Sequence, residues 1–292
     1  MKATNIRPIT IVEIIYNPNS TGDGEKNARE FAEKLKSVGL TVKLQPTKHA
    51  GHAVTLAKAF ADAHPNGMVI SSSGDGGYHE VVNGVLSSKN PTVVTGVLPS
   101  GNANDHYHFV HHGDTIKRIE RSAIDTIDIV QVTTSQWQHS AHSYVGLGMT
   151  PQIGEQLTKA KLNTWVEAWL VITHLFRIRS VKLKIGRKVR QYDHVVFSNT
   201  GRMSKYLTLA TDAAIDDGLF EITRVKAGSL VRLLAHIWQA VTRQTDVTPR
   251  ANRFDFTVLR ATTIQLDGEV YPLAAGERVT VVCKRRMLNC IV

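Results

Sequence analysis

Residues 68–85 read MVISSSGDGGYHEVVNGV. Met68 to Ser71 is a short apolar run and reads as a buried strand. Ser73-Gly74-Asp75-Gly76-Gly77 is a turn, and His79 to Leu86 opens a helix. The same order of strand, polar turn and helix stands on both sides of it. Upstream, Ile9 to Tyr16 is a strand and Asn17 to Gly24 (NPNSTGDG) a turn. Ala28, Phe31, Ala32, Leu35 and Val38 then recur at helical spacing, ended by Gly39. Leu40 to Leu44 alternates as a strand, and Ala53 to Ala63 is a helix stopped before Pro65. Downstream, Thr92 to Leu98 is a strand that Pro99 ends. This repetition predicts an α/β lobe with a mostly parallel sheet covered by helices on both faces.

From Ile124 the period changes. Ile124 to Val132 alternates as a half-exposed strand. Val181 to Ile185, Asp193 to Asn199, Leu219 to Val225, Phe254 to Leu259, Thr262 to Leu266 and Arg278 to Cys283 are also strand-like. Only Trp165 to Phe176 and Leu230 to Thr242 read as helices. Many strands with few helices predict an antiparallel, β-rich second lobe. The expected division is 1–125 and 126–283, and a return of the strand near 284–292 to the first lobe is left open.

Composition narrows the function classes. The chain has 292 residues, 42% hydrophobic and 21% charged, which excludes a mostly disordered or collagen-like protein. Two cysteines, Cys283 and Cys290, exclude a disulfide framework and suit a reducing compartment. No apolar run is long enough to span a membrane, and residues 1–10 lack the apolar core of a signal peptide, so the cytoplasm is expected. The net charge is +10. Residues 1–149 hold 13 basic and 13 acidic side chains, so the whole excess lies after residue 149. A basic half predicts an anionic partner.

The chemistry-bearing residues sit in three turns. Asn17 to Gly24, Ser73 to Gly77 and Pro99-Ser100-Gly101-Asn102-Ala103-Asn104-Asp105 each follow a strand and precede a helix. In an open α/β sheet such turns share the carboxyl edge where ligands bind. Glycine lets backbone amides approach an anion, and helix N-termini add partial positive charge, so this edge reads as a phosphate cradle. Asp75 and Asp105 lie in two of the turns. Carboxylates beside phosphate repel it unless a cation lies between them, which points to a magnesium–nucleotide site.

These segments resemble the diacylglycerol kinase catalytic-domain family. SSSGDGGYHEVVNGV is similar to its GGDGT-x-x-EVVNGL segment, LPSGNANDH to IPxGTxND, and YNPNSTGDG to NPxSGxG. Ala214 to Phe220 (AIDDGLF) resembles its DDGLF stretch, and Gln265 to Glu269 (QLDGE) its late DGE. The resemblance implies a bacterial soluble lipid kinase. Its N-terminal lobe would be related to NAD kinases and 6-phosphofructokinases, and its C-terminal lobe a β-sandwich. The implied cofactors are ATP and Mg²⁺. By motif position Asp75 and Asp105 organise Mg²⁺, and Asn17, Ser20, Thr21, Gly74, Gly76 and Asn104 line the nucleotide phosphates. Thr47 is a looser match to a nucleotide-contacting threonine. Glu269 is the implied general base on the lipid hydroxyl. A second, structural Mg²⁺ is implied at the Asp217 side chain and the carbonyls near Ala214 and Leu219. The implied acceptor is diacylglycerol or a similar lipid at an anionic membrane surface, with peripheral membrane association. A homodimer is left open.

The pattern departs from the family at Ser73, Gly77 and Asn102, where glycine and two threonines are usual. Restoring threonine at 77 is expected to tighten nucleotide binding or leave activity intact. The alternatives are an NAD kinase-like enzyme and a catalytically weak lipid-binding or regulatory relative. A nucleic-acid partner is not expected, because the basic half has neither a recognition helix nor an aromatic RNA-binding strand. His106, His108, His111 and His112 cluster without a carboxylate or cysteine to complete a metal set and read as a polar helix surface. Arg177 to Arg190 holds seven basic residues and no acid, and fits docking on anionic lipid.

Overall fold

The computed structural model describes residues 8–101, 104–110, 114–148, 180–203, 207–208, 213–228 and 248–291. The helices expected at Trp165–Phe176 and Leu230–Thr242, together with Asn102, His111, His112 and residues 177–179, lie outside these. The chain divides into two compact units. One comprises 1–129, 215–217 and 285–292; the other comprises 130–214 and 218–284.

The first unit is built on strands β1 (Ile11–Tyr16), β2 (Thr41–Pro46), β3 (Met68–Ser73) and β4 (Val94–Pro99), all parallel and ordered β2-β1-β3-β4. Helices α1 (Gly24–Ser37), α2 (His52–Ala63) and α3 (Asp75–Leu86) connect them, followed by α4 (Asp105–Val110) and α5 (Thr115–Glu120). Alternation along the strands decides which face each helix covers. Val12, Ile14, Met68 and Ile70 pack with Ala28, Ala32 and Leu35 of α1 and Ile119 of α5. Ile15 and Val69 face the other way, onto Ala53, Ala57 and Phe60 of α2 and Val81 and Val85 of α3. Two residues of the EVVNG run fix α3 against α2. Glu80 accepts from Gly51 N (2.7 Å) and Ala53 N (3.1 Å), which caps α2. Gly84 touches α2 so closely that a Cβ there would lie 2.5 Å from Val54 O.

The second unit is antiparallel. Its elements are β5 (Asp125–Thr133), β6 (Gln138–Ala141), β7 (Tyr144–Gly148), β8 (Val181–Ile185), β9 (Lys188–Ser198), β10 (Arg202–Met203), β11 (Leu207–Thr208), β12 (Phe220–Lys226), β13 (Arg250–Ala251), β14 (Arg253–Val258), β15 (Thr262–Leu266), β16 (Glu269–Leu273) and β17 (Arg278–Cys290). The order β16-β15-β7-β9-β8-β14-β17 is extended by β12 on β9 and β6 on β5. Val145, Leu147, Val195, Phe197, Phe220, Phe256, Ile264 and Val281 form its core.

Strands β5 and β17 pass from one unit to the other. Ile127 and Ile129 of β5 pack with Tyr78, Val82, Leu288 and Cys290, whereas Val130 and Val132 enter the second core. The division therefore falls four residues beyond the expected 125, inside a strand whose halves are buried in different cores. Cys290 of β17 pairs parallel to Thr95 of β4. The whole is α/β with mixed pairing, not all parallel.

Candidate active site

The turns after β1, β3 and β4 meet at the carboxyl edge of the parallel sheet because all three strands run the same way. The first is a self-braced loop. Asn17 Oδ1 accepts from Asn19 N (2.9 Å), Asn17 O from Ser20 N (3.1 Å), and Ser20 Oγ from Gly24 N (2.9 Å) at the start of α1. Thr21 is exposed at its tip. Ser72 Oγ ties this loop to the other two, donating to Gly24 O (2.8 Å) and meeting Ser100 Oγ at 3.2 Å. Asn27 Nδ2 of α1 reaches Ser100 Oγ at 2.9 Å.

The second and third turns touch through glycines. A Cβ on Gly74 would lie 3.2 Å from Gly101 Cα, and one on Gly101 would lie 3.0 Å from Gly74 N. Gly101 has no room for a side chain, and one on Gly74 would require the facing loop to give by a few tenths of an ångström. Gly74 N-caps α3 in an extended conformation, so Asp75 and Gly76 form the first turn of that helix. Asn104 sits in the left-handed region (φ 51°) and closes its own loop: Oδ1 accepts from Gly101 N (3.0 Å) and Nδ2 donates to Gly101 O (2.9 Å). Asp105 is the first residue of α4. Asp75 Oδ1 accepts from His106 N (3.3 Å), so Asp75 and Asp105 are the first residues of two helices joined by this bond.

The edge thus gathers Asn17, Ser20, Thr21, Gly74, Asp75, Gly76, Asn104 and Asp105. Thr47 directly follows β2 and donates its N–H to Tyr16 O (2.9 Å), which sets it beside the first loop. Tyr78, His79 and His106, beside these turns, are buried, so His106 does not belong to the polar helix surface expected for the histidine cluster, whereas His108 is exposed. Tyr78 is buried, its hydroxyl bonded to Thr95 Oγ1 (2.9 Å) and its ring against His106 (4.8 Å between centroids). The Tyr78–His106 contact joins α3 to α4. Among the described residues no group of three His, Cys, Asp or Glu side chains is placed to hold a metal.

Glu269 opens β16 in the second unit, paired with Leu266 across a hairpin whose turn is Asp267-Gly268. Positive φ at both (50° and 106°) makes a tight turn of the hairpin type. Asp267 is buried, and its carboxylate accepts from His142 N (2.9 Å), Ser143 N (2.9 Å) and Tyr144 N (3.0 Å). The first acid of DGE therefore pins the hairpin to the β6–β7 connection and holds the strand that carries Glu269. Sequence reading did not separate these roles; the only signal was Asp-Gly between two strands. In the 214–219 stretch, Ile215 O accepts from Asp128 N (2.7 Å) and Asp216 pairs with Arg286 (3.1 Å). Asp217 and Leu219 are half-buried.

Glu13 was also missed. It lies in the middle of β1, 5% exposed, on the face that α2 covers. Burial pushes its carboxyl up to about 7, against the pull of Lys43.

Comparison with known proteins agrees with the resemblance read from the motifs. Residues 12–132 match the diacylglycerol kinase catalytic domain. The chain is 26% identical over 282 residues to a diacylglycerol kinase of Bacillus subtilis (strain 168), covering 91% of this chain and 92% of that protein. It is 27% identical over 286 residues to one of Staphylococcus aureus (strain bovine RF122 / ET3-1), covering 88% and 85%. A solved diacylglycerol kinase structure from Bacillus anthracis (strain Sterne) superposes with a TM-score of 0.72 at 16% identity, over 99% of this chain and 98% of that one, a likeness of fold. The three loops interlocked at one sheet edge thus lie in the segment, residues 12–132, that matches the diacylglycerol kinase catalytic domain, and the chain along most of its length is similar to diacylglycerol kinases.

Proposed function

We propose that the protein is an ATP-dependent lipid kinase that transfers the γ-phosphate to a hydroxyl of diacylglycerol or a similar lipid. The observation that carries the reading is the convergence of three glycine- and serine-rich loops, with Asp75 and Asp105 at the starts of two helices, on one sheet edge. Phosphoryl transfer asks for positioning and charge stabilisation more than for covalent chemistry, and this edge supplies backbone amides, helix N-termini and two carboxylates. The donor set fits Mg²⁺, which takes one or two protein carboxylates and completes its shell with water and phosphate oxygens. When bound, the ion would neutralise charge developing on the phosphates. Asp75 and Asp105 would hold it. Asn17, Ser20, Thr21, Gly74 and Gly76 would line the phosphates. Asn104 would act by fixing the shape of its loop, since its amide is engaged on Gly101 at both ends. Glu269 would take the proton of the acceptor hydroxyl. The Asp217 side chain and the carbonyls near Ala214 and Leu219 are retained as the second cation site. The second unit is assigned to the lipid, and a cytoplasmic location with peripheral membrane attachment follows from that assignment.

The test is phosphate transfer from labelled ATP, with Mg²⁺, to a panel of lipids in mixed micelles. Wild type labels a lipid hydroxyl; Asp75→Ala and Glu269→Ala each abolish labelling. Calorimetry then separates the two: Mg-ATP binding is lost with Asp75→Ala and kept with Glu269→Ala. Normal binding by the Asp75 variant would remove it from the metal role, and labelling of NAD instead of lipid would replace this reading with the NAD kinase-like one.

A further inference from the structure

The hairpin of β8 and β9 turns at Gly186-Arg187, with Ile185 paired to Lys188. Between Val181 and Tyr192 it carries Lys182, Lys184, Arg187, Lys188 and Arg190, all exposed, and no acidic residue; the first acid, Asp193, is half-buried and accepts from the Gly228 backbone. Lys182 and Lys184 share one face, because Val181 and Leu183 between them are buried in the core. Lys188 and Arg190 pair with Ile185 and Leu183 and so point to the other side, with Arg187 at the turn. Bases therefore ring the end of the hairpin.

Among the described residues none of these five side chains makes an ion pair or hydrogen bond. Asp255, on the neighbouring β14, is bound by Arg253 (2.7 Å) and Thr280 (2.6 Å), and Arg250 pairs with Glu221 (3.2 Å). The acids within reach are thus already matched, while five bases are not. Inside this ring is Val189, at 46% the most exposed large hydrophobic side chain among the described residues. It is paired with Lys184 and on the same face. An apolar side chain held in water among cations suits an interface where apolar and anionic layers adjoin.

We propose that the β8–β9 hairpin is a docking element for an anionic lipid surface, with Val189 entering the interface and the five bases lying among the headgroup phosphates. A nucleic-acid partner fits less well. It would be read by stacking or hydrogen-bonding side chains. The hairpin has no aromatic residue before Tyr192, which is buried, and Gln191 is bonded to Ser180. The lipid-kinase reading supplies the reason for visiting a bilayer, but the surface stands on its own geometry.

The experiment is sedimentation of the full chain with vesicles of phosphatidylcholine alone or of equimolar phosphatidylcholine and phosphatidylglycerol, without nucleotide. Binding is expected only to the anionic vesicles and is expected to fall steeply with salt. Each base near such a surface is worth about fivefold in partition, so Lys182→Gln/Lys184→Gln weakens binding about 25-fold. Val189→Ser weakens it about threefold with the salt dependence unchanged. These are surface changes, and unaltered thermal unfolding confirms the fold. Full binding by the lysine variant, equal binding to neutral vesicles, no binding to either, or preference for single-stranded RNA over vesicles each overturns the proposal. Phosphate transfer to a dispersed short-chain diacylglycerol is measured alongside. Its presence with no vesicle binding sinks the docking surface and spares the kinase; its absence with charge-dependent vesicle binding does the reverse.

Discussion

Gly77 stands where the motif that this segment resembles has threonine, and Ser73 where it has glycine. The structure shows that these are one change. A Cβ built on Gly77 would lie 2.7 Å from Ser73 Cβ and closer still to Ser73 Oγ. The hydroxyl could rotate away, but the Ser73 Cβ is fixed to the strand. Carbon atoms in contact sit about 3.5–4.0 Å apart, so roughly 1 Å of backbone movement is needed. Gly77→Thr is therefore expected to cost about 1–3 kcal/mol as an overpacked site, not to be neutral or helpful as the motif alone suggests. Ser73→Gly empties the slot. It loses the bonds of Ser73 Oγ to Ser71 Oγ (2.6 Å) and to Gly74 O (3.1 Å), and the cost is about 1–2 kcal/mol. With both changes the slot is filled from the helix instead of the strand, and most of either loss is recovered. A double-mutant cycle by urea unfolding should give a coupling of about 2 kcal/mol, within the usual range for residues in contact. Additive losses, or a Gly77→Thr protein as stable as wild type, would show that the two positions do not share a slot.

Asp267→Asn replaces an acceptor by a donor opposite one of three buried N–H groups and should cost about 1–3 kcal/mol, read by denaturant unfolding; full stability with lost phosphate transfer would instead make Asp267 part of the chemistry. Glu13 holds its proton in the folded chain up to about pH 7 but only to about 4.5 when unfolded. The stability this gives is complete below about 4.5 and is lost as pH rises through 7, a swing of up to about 3 kcal/mol. Glu13→Gln should therefore stabilise the protein at pH 8 and do little at pH 5, and an equal gain at both would refute the burial argument. Glu80→Ala uncaps α2 and should cost about 1–2 kcal/mol, with amide exchange of Gly51 and Ala53 accelerated ahead of the rest of the helix.

The sequence made the first unit legible because each of its parts is local. Strands of continuous apolar residues, turns rich in glycine, and helices with a repeating apolar stripe all appear within a short window. The carboxyl-edge loops followed from that alone. What stayed hidden depends on distant partners. Gly77 looks like an open position until Ser73 is seen beneath it, and Asp267 looks like any turn residue until the amides of residues 142–144 are brought to it. Strands β6 and β7 were not anticipated, since Gln138-His139-Ser140-Ala141 and Tyr144-Val145-Gly146-Leu147-Gly148 lack a clean alternation; pairing with β5, β9 and β15 orders them. Helix α4 is a few residues of His, Tyr and Phe with no apolar stripe, and only its position after the Asn104 turn defines it.

The pairing of Cys290 with Thr95 has a consequence for how the molecule is made. Thr95 Oγ1 donates to Asn289 O across 194 positions of chain, and Leu288, Cys290 and Ile291 complete cores begun by Val12, Tyr78 and Val82. During synthesis, β4 must emerge and wait as a bare edge while the whole second unit is translated. An open, apolar edge strand invites pairing with another nascent chain. The first unit, although mostly encoded first, is thus among the last parts of the protein to be finished, and a ribosome that stops short of residue 288 releases it with that edge unpaired.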